Sequence, residues 1–403
     1  MDKVVKDIEI AASQCGIESK KELISFASGF AARDAQKRIA ELEEEVQRLK
    51  AQVGSAQMGD EPSKEKGREK SRATEGTKHT MSKGGKIGGK LSIGADPKFI
   101  KTRLEKFQKI QAEYQKRIQF KPHEPIKITL PDGKVMEGTS WITTPLDIAK
   151  QISNSLAKQV CVAKIKYTGK RFAPDDVVAA DDDEDEDVKI EELEGEEMLW
   201  DVSRPLEGDC VLSLRKFNET KNSIDVDGST AFWHSAAHVL GQALERSFGV
   251  QLTIGPALKE GFYYDCYAGD ATMNEEKWYN TIENMMKKIA KEKQVFERIV
   301  CSKEEALELF SDNPFKVELI TTKVPKGSST TVYRNGPFVD LCMGPHVPNT
   351  GVFKAVHVTN HSAAYWRGND ECDSLQRMYG IAFPDKKLMK MYVVFERAKR
   401  EEF

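Results

Sequence analysis

"FWHSAAHVLGQALERSFG" (residues 232–249) places two of the chain's seven histidines, His234 and His238, four residues apart in a stretch of helical periodicity. Phe232, Ala236, Val239, Leu240 and Ala243 form its apolar stripe, and Ser229 or Thr230 is suited to open the helix. The two imidazoles fall on the other side, flanked by Ala237 and Gly241, small residues that leave room for a substrate. "DLCMGPHVPNTG" (340–351) repeats the spacing with Cys342 and His346, beside Gly344 and Pro345, which predict a turn. One such pair alone reads equally as two part-exposed histidines. Two pairs, one on a helix and one on a turn able to approach it, predict a single site. Three imidazoles and a thiol there serve one of two chemistries: tetrahedral zinc ligation, or hydrogen bonding that places a water.

Composition narrows the setting. The chain has 403 residues, enough for two or three domains, and with 31% charged against 39% hydrophobic residues it is too polar for one globule without solvated segments. Seven scattered cysteines without CxxC pairs argue against a disulfide framework and for a reducing, cytoplasmic location. No apolar run reaches the roughly 18 residues of a membrane span, and the charged N-terminus "MDKVVKDIEIAAS" does not read as a signal peptide.

The predicted order begins with a helical extension, 1–53. Within it Ala32, Ala35, Ile39, Leu42, Val46, Leu49 and Val53 recur at coiled-coil spacing, so residues 32–53 are expected either to pair copies of the chain or to lie on their own protein. Residues 54–96, rich in Gly, Ser, Lys and Glu, predict a disordered basic linker. A basic amphipathic helix follows over 97–120, with Asp96 as N-cap and Pro97 first in the helix. Phe99, Leu104, Phe107, Ile110, Tyr114 and Ile118 form its apolar stripe, and Lys98, Lys101, Arg103, Lys106, Lys109, Lys116 and Arg117 supply a face that is either solvated or turned to phosphates.

A small α/β unit is predicted over 123–218. Ile126, Ile128 and Leu130 alternate as a strand, "PDGK" turns, Val135–Trp141 returns, and Thr144, Pro145 and Asp147 open a helix carrying Leu146, Ile148, Ala149, Ile152 and Leu156. "VCVAKI" and "CVLSLRKF" add two strands. Between them, at about 167–196, lies an insert whose acidic run "DDDEDED" (181–187) is expected to stay solvated.

"ITLPDGK", "TTPLDIAKQIS" and "RPLEGDCVLSL" resemble the ubiquitin-like TGS domain of threonyl-tRNA synthetases, with the acidic insert as a departure. Over 220–397, "WHSAAHVLGQALE", "GPALKEGFYYD", "FKVELI", "YRNGPFVDLCMGPHVPNTG", "SAAYWRG" and "LQRMYGIAFPDKKLM" resemble, in family order, the editing domain of those enzymes, in their eukaryotic cytoplasmic form. The resemblance implies an α+β chain: a helical extension and linker, the TGS domain, then the mixed α/β editing domain shared with alanyl-tRNA editing proteins. It also implies a class II core with ATP and a zinc that reads threonine, which the 403 residues do not reach. No aminoacylation is therefore expected from this chain alone.

The implied reaction is hydrolysis of the ester joining a wrongly loaded serine to the terminal ribose of tRNA(Thr). His234, His238, Cys342 and His346 are the implied catalytic quartet, and Lys316 in "FKVELI" the cation for developing negative charge. Asp340 in "DLC" is the implied partner of the substrate's amino group. Tyr264, Tyr365 and Trp366 are expected as pocket walls or core. The resemblance implies no bound metal, with zinc on the quartet, as in alanyl-type proteins, the alternative. Two further readings stand beside the hydrolase: the N-terminal part of a full ATP-using ligase, and a non-catalytic scaffold for tRNA or a synthetase.

Overall fold

The computed structural model describes residues 85–180, 196–217, 226–273 and 276–401. The expected coiled coil, most of the linker and the acidic run lie outside the described residues. Those from 85 to 389 belong to one compact unit. No helix among the described residues is long and apolar enough to cross a membrane.

The first part is built on a five-stranded sheet. β1 (Pro125–Thr129) pairs antiparallel with β2 (Val135–Thr139), and the alternation read from the sequence puts Ile126 and Ile128 inside. α1 (Lys98–Gln119) precedes this hairpin. α2 (Pro145–Ile152) starts where the sequence places it: the Thr144 hydroxyl accepts from Asp147 N, and Asp147 in turn accepts from Thr144 N. It ends at Ile152, because Ser153 caps a separate short helix, α3 (Asn154–Gln159), which takes Leu156 with it. β3 (Val160–Tyr167), β4 (Met198–Trp200) and β5 (Cys210–Lys216) complete the sheet in the order β2-β1-β5-β3-β4, with β5 parallel to β1 and the other pairs antiparallel. Ala163, Ile165, Trp200, Leu206 and Leu212 close its core.

The second part wraps two antiparallel sheets around α4 (Val226–Phe248), which starts ahead of Ser229 and is buried on nearly every face. One sheet runs β11-β12-β7-β6, from β6 (Gln251–Leu252), β7 (Phe262–Tyr267), β11 (Ala355–Tyr365) and β12 (Ser374–Phe383). The other runs β10-β9-β8, from β8 (Phe296–Ser302), β9 (Ser329–Asn335) and β10 (Phe338–Leu341). Helices α5 (Glu276–Glu292), α6 (Lys303–Leu309) and α7 (Pro314–Lys323) cover them, and α8 (Lys386–Glu401) follows β12.

Three expectations are corrected. Residues 85–96, read as linker for want of large apolar side chains, are docked: Ile87 N and Gly88 N donate to Asp373 Oδ2 at 2.6 and 3.1 Å, and Gly94 N to Phe248 O at 2.7 Å. Backbone donors leave no mark on composition. Ahead of the acidic run, Val177 and Ala180 of the insert are buried in a core cluster with residues of α1 and β8, and Val178 N donates to Ser329 O at 2.8 Å. Helix α1 starts one residue late, with Pro97 as N-cap and Asp96 at φ 48°, and Asp96 makes no cap. Its basic face is not wholly solvent-facing either, since Arg103 is buried.

Candidate active site

Helix α4 and the turn after β10 bring the two sequence pairs together. The ligand atoms of His234, His238, Cys342 and His346 all lie within 4.8 Å of one another. Cys342 Sγ is 3.3 Å from both His234 Nε2 and His346 Nε2 and accepts from Gly344 N at 3.2 Å. Gly344 sits at φ 75°, and a Cβ there would meet the Tyr333 hydroxyl at 2.2 Å, so glycine alone lets the turn approach.

The tautomer of His346 follows from its neighbour. The Ser235 hydroxyl donates to Ala231 O at 2.7 Å and accepts from Val347 N at 2.9 Å, so toward His346 Nδ1, at 3.0 Å, it accepts again. Nδ1 therefore carries the proton, and the bare Nε2 faces the cysteine. Burial, with His238 and His234 adjacent, holds His346 well below its ordinary pKa. Burial likewise pushes His238 down to about 3, against the pull of Asp340, so both rings are neutral at pH 7. His238 Nδ1 is buried without a hydrogen-bond partner, an unmet polar atom inside the quartet.

Beside the quartet is a cleft of about 290 Å³, part of it open to solvent, lined by His234, His238, Thr253, Tyr264, Lys316, Asp340 and Cys342 among others. Asp340 Oδ1 takes an ion pair from Lys316 Nζ at 2.7 Å and a hydrogen bond from Leu341 N at 2.9 Å, while Oδ2 accepts from the Tyr264 hydroxyl and lies 3.8 Å from His238 Nε2. Burial would raise this carboxyl, but Lys316, His238 and Tyr264 outweigh it and hold it below its usual value. The cleft thus keeps a fixed anion next to a fixed cation.

Seven of the nine residues singled out from sequence converge here: the quartet, Lys316, Asp340 and Tyr264. Tyr365 and Trp366 do not line the cleft. Tyr365 is 47% exposed at the end of β11, and Trp366 is buried in the core against Phe315, its Nε1 donating to Glu318 Oε2 at 3.0 Å. Sequence reasoning missed Ser235 and Asp201. Asp201, just after β4, accepts from His346 N at 2.7 Å and from the Tyr333 hydroxyl at 2.6 Å, so the first sheet's own loop holds a member of the quartet. No local pattern marks it.

A TGS domain model matches residues 126–216, and a model described as the threonyl and alanyl tRNA synthetase second additional domain matches 330–379. The chain is 45% identical over 304 residues to threonine–tRNA ligase, mitochondrial 1, of Arabidopsis thaliana, covering 75% of this chain and 38% of that one. It is 43% identical over 301 residues to the probable threonine–tRNA ligase 1, cytoplasmic, of Dictyostelium discoideum, covering 75% and 37%. To threonine–tRNA ligase 1, cytoplasmic, of Bos taurus it is 38% identical over 352 residues, covering 86% and 43%. This is the TGS and editing region of the threonyl-tRNA synthetase family. The chain spans about two fifths of the length of these relatives.

In that family's terms, the TGS match supplies Asp201 and the second-domain match supplies Asp340, Cys342 and His346. Helix α4, with His234 and His238, and α7, with Lys316, lie outside both matched ranges. The cleft is assembled from matched and unmatched segments alike.

Proposed function

We propose that the cleft hydrolyses the aminoacyl ester of tRNA(Thr) wrongly loaded with serine, as the proofreading part of a cytoplasmic threonine–tRNA ligase. The observation that carries this is the convergence of three imidazoles and a thiol at the side of a cleft that His234, His238 and Cys342 line together with the buried Asp340–Lys316 pair. Asp340, held ionised, supplies the charge for the substrate's ammonium group. Lys316 stands next to it for the oxyanion that develops as water adds to the ester carbonyl. A base held near pH 3 stores a proton poorly, so His238 orients the water rather than carrying its proton away. His234, the less buried of the pair, faces the cleft and the thiol. Serine lacks only threonine's methyl, worth about 1–3 kcal/mol in a binding pocket, so a second, hydrolytic pocket is what raises fidelity.

The expected result is hydrolysis of Ser-tRNA(Thr) well above that of Thr-tRNA(Thr) by this chain, nearly abolished in a His234→Ala, His238→Ala double variant that melts like the wild type. Undiminished hydrolysis in the double variant would move the active site elsewhere.

A second reading is favoured by one observation: Cys342 Sγ at 3.3 Å from two ring nitrogens is close to the edge of a zinc tetrahedron with bonds of about 2.0–2.3 Å. His234, His238, Cys342 and His346 would hold the ion, with Ser235 fixing His346 from behind. When bound, zinc would supply Lewis-acid activation of water. About one zinc per purified chain, with activity removed by chelator and restored by zinc, selects this reading over the metal-free one.

A further inference from the structure

Helix α1 precedes the TGS domain and lies outside both matched ranges, yet it sends one side chain behind the cleft. Arg103 is 4% exposed. Its Nη1 donates to Glu245 Oε1 at 2.6 Å and to Val339 O at 3.4 Å, its Nε to Asp312 Oδ1 at 3.4 Å, and its Nη2 pairs with Asp312 Oδ2. The guanidinium also lies 5.0 Å from the Phe99 ring centroid and 5.6 Å from that of Phe310, which fixes it between aromatic rings.

Each partner belongs to a different carrier of the site. Glu245 follows His238 on α4 by about two helical turns, on the same face. Val339 O belongs to the peptide that leads into Asp340, two residues before Cys342. Asp312 adjoins Asn313, whose side chain caps α7 by accepting from Phe315 N and Lys316 N at 3.0 and 3.3 Å and donates to Leu252 O at 2.7 Å, next to Thr253 of the cleft lining. From these contacts we infer that Arg103 is a positioning residue for the ester-hydrolysing site: one buried guanidinium fixes α4, β10 and the start of α7 relative to one another. This rests on the function proposed above.

Only a planar fork reaches three partners in fixed directions. A lysine of similar reach keeps the charge but directs it as a point, so it holds one partner at a time. Loosening the three elements displaces the quartet against Asp340 and Lys316, and a shift of about 1 Å in a reacting group costs on the order of a hundredfold in rate.

The test compares Arg103→Lys and Arg103→Met in the full chain with the wild type, using Lys109→Ala on the exposed face of α1 as control. Two readouts are taken: kcat and KM for Ser-tRNA(Thr) hydrolysis, and NMR of the 15N-labelled histidine side chains. The expected result is kcat lowered about tenfold to a hundredfold with KM little changed, together with displaced histidine ring signals. Wild-type kcat in a variant that merely melts earlier would overturn the inference. So would raised KM with kcat kept, which would make Arg103 a tRNA contact. If Arg103→Met does not fold, Arg103→Lys decides by the same two readouts. If the wild type does not hydrolyse Ser-tRNA(Thr), the proposed function fails by itself. The ring signals still judge Arg103, and unchanged signals in Arg103→Lys overturn its positioning role.

Discussion

Ser235 shows how much of the site rests on single atoms. Its hydroxyl has one proton, given to Ala231 O, and two lone pairs, taken by Val347 N and His346 Nδ1. Alanine there leaves a buried amide and a buried ring N–H without acceptors, each costing about 1–3 kcal/mol. Ser235→Ala is therefore expected to lower the unfolding midpoint and also to slow hydrolysis of Ser-tRNA(Thr), because His346 loses its fixed tautomer and ring angle. Chemical denaturation and a deacylation assay read the two effects, and loss of stability with an unchanged rate would mean that the tautomer is held by other contacts. The histidine and cysteine spacings were visible in the sequence because they are local. Ser235 was not, since its partner lies 111 residues away and a small polar residue inside a helix looks like any other.

Elements were legible where periodicity and capping speak together, as in β1 with its alternating isoleucines and α2 with its Thr144–Asp147 box. They were less so where one element is pinned to another by charge. Glu283 on α5 accepts from His357 Nδ1 at 2.6 Å, Lys287 Nζ at 2.9 Å and Val358 N at 3.1 Å, tying the helix to β11. Burial pushes this carboxyl up, but the three donors more than offset it and draw it down from 4.5 to about 2. A carboxyl whose folded pKa is depressed stabilises fully above its unfolded value, and that contribution is lost as pH falls from about 4.5 toward 2. Glu283→Gln is thus expected to melt earlier than the wild type at pH 6, with the gap closing through that acidic window. Thermal unfolding over a pH series checks it, and a gap that stays constant down to pH 2 would show that the pairing contributes nothing through ionisation.

At the level of the whole molecule, the domain borders drawn from sequence separate what the fold joins. Apolar periodicity and family motifs divide the chain into a leading helix, a TGS domain and an editing domain, because each has its own local pattern. Buried polar pairings follow no such border: Asp373 takes its donors from Ile87 and Gly88, Glu245 from Arg103, and Asp201 reaches from the TGS domain to His346 and Tyr333. Trp366, which its motif allowed as either pocket wall or core, takes its place in the core.

An isolated editing domain, residues 226–389, would keep every member of the quartet, Lys316 and Asp340. It would also take from Asp373, Glu245, the Tyr333 hydroxyl and His346 N these partners together with the segments that cover them, and each lost hydrogen bond is worth about 0.5–1.5 kcal/mol, or about 1.5–3 where a charged group takes part. Summed over four such groups, the loss is comparable to the whole stability of a typical domain, about 5–15 kcal/mol. The excised domain is therefore expected to be at best partly folded and unable to hydrolyse Ser-tRNA(Thr), while a chain of residues 85–389 melts cooperatively and keeps activity. Circular dichroism melting and limited proteolysis of the two chains decide it. Within 85–389, Asp201→Asn refines the comparison: an amide oxygen still accepts one hydrogen bond, so the variant should fold with a reduced hydrolytic rate. A fully active 226–389 chain would show instead that the editing site is complete without the segments that precede it.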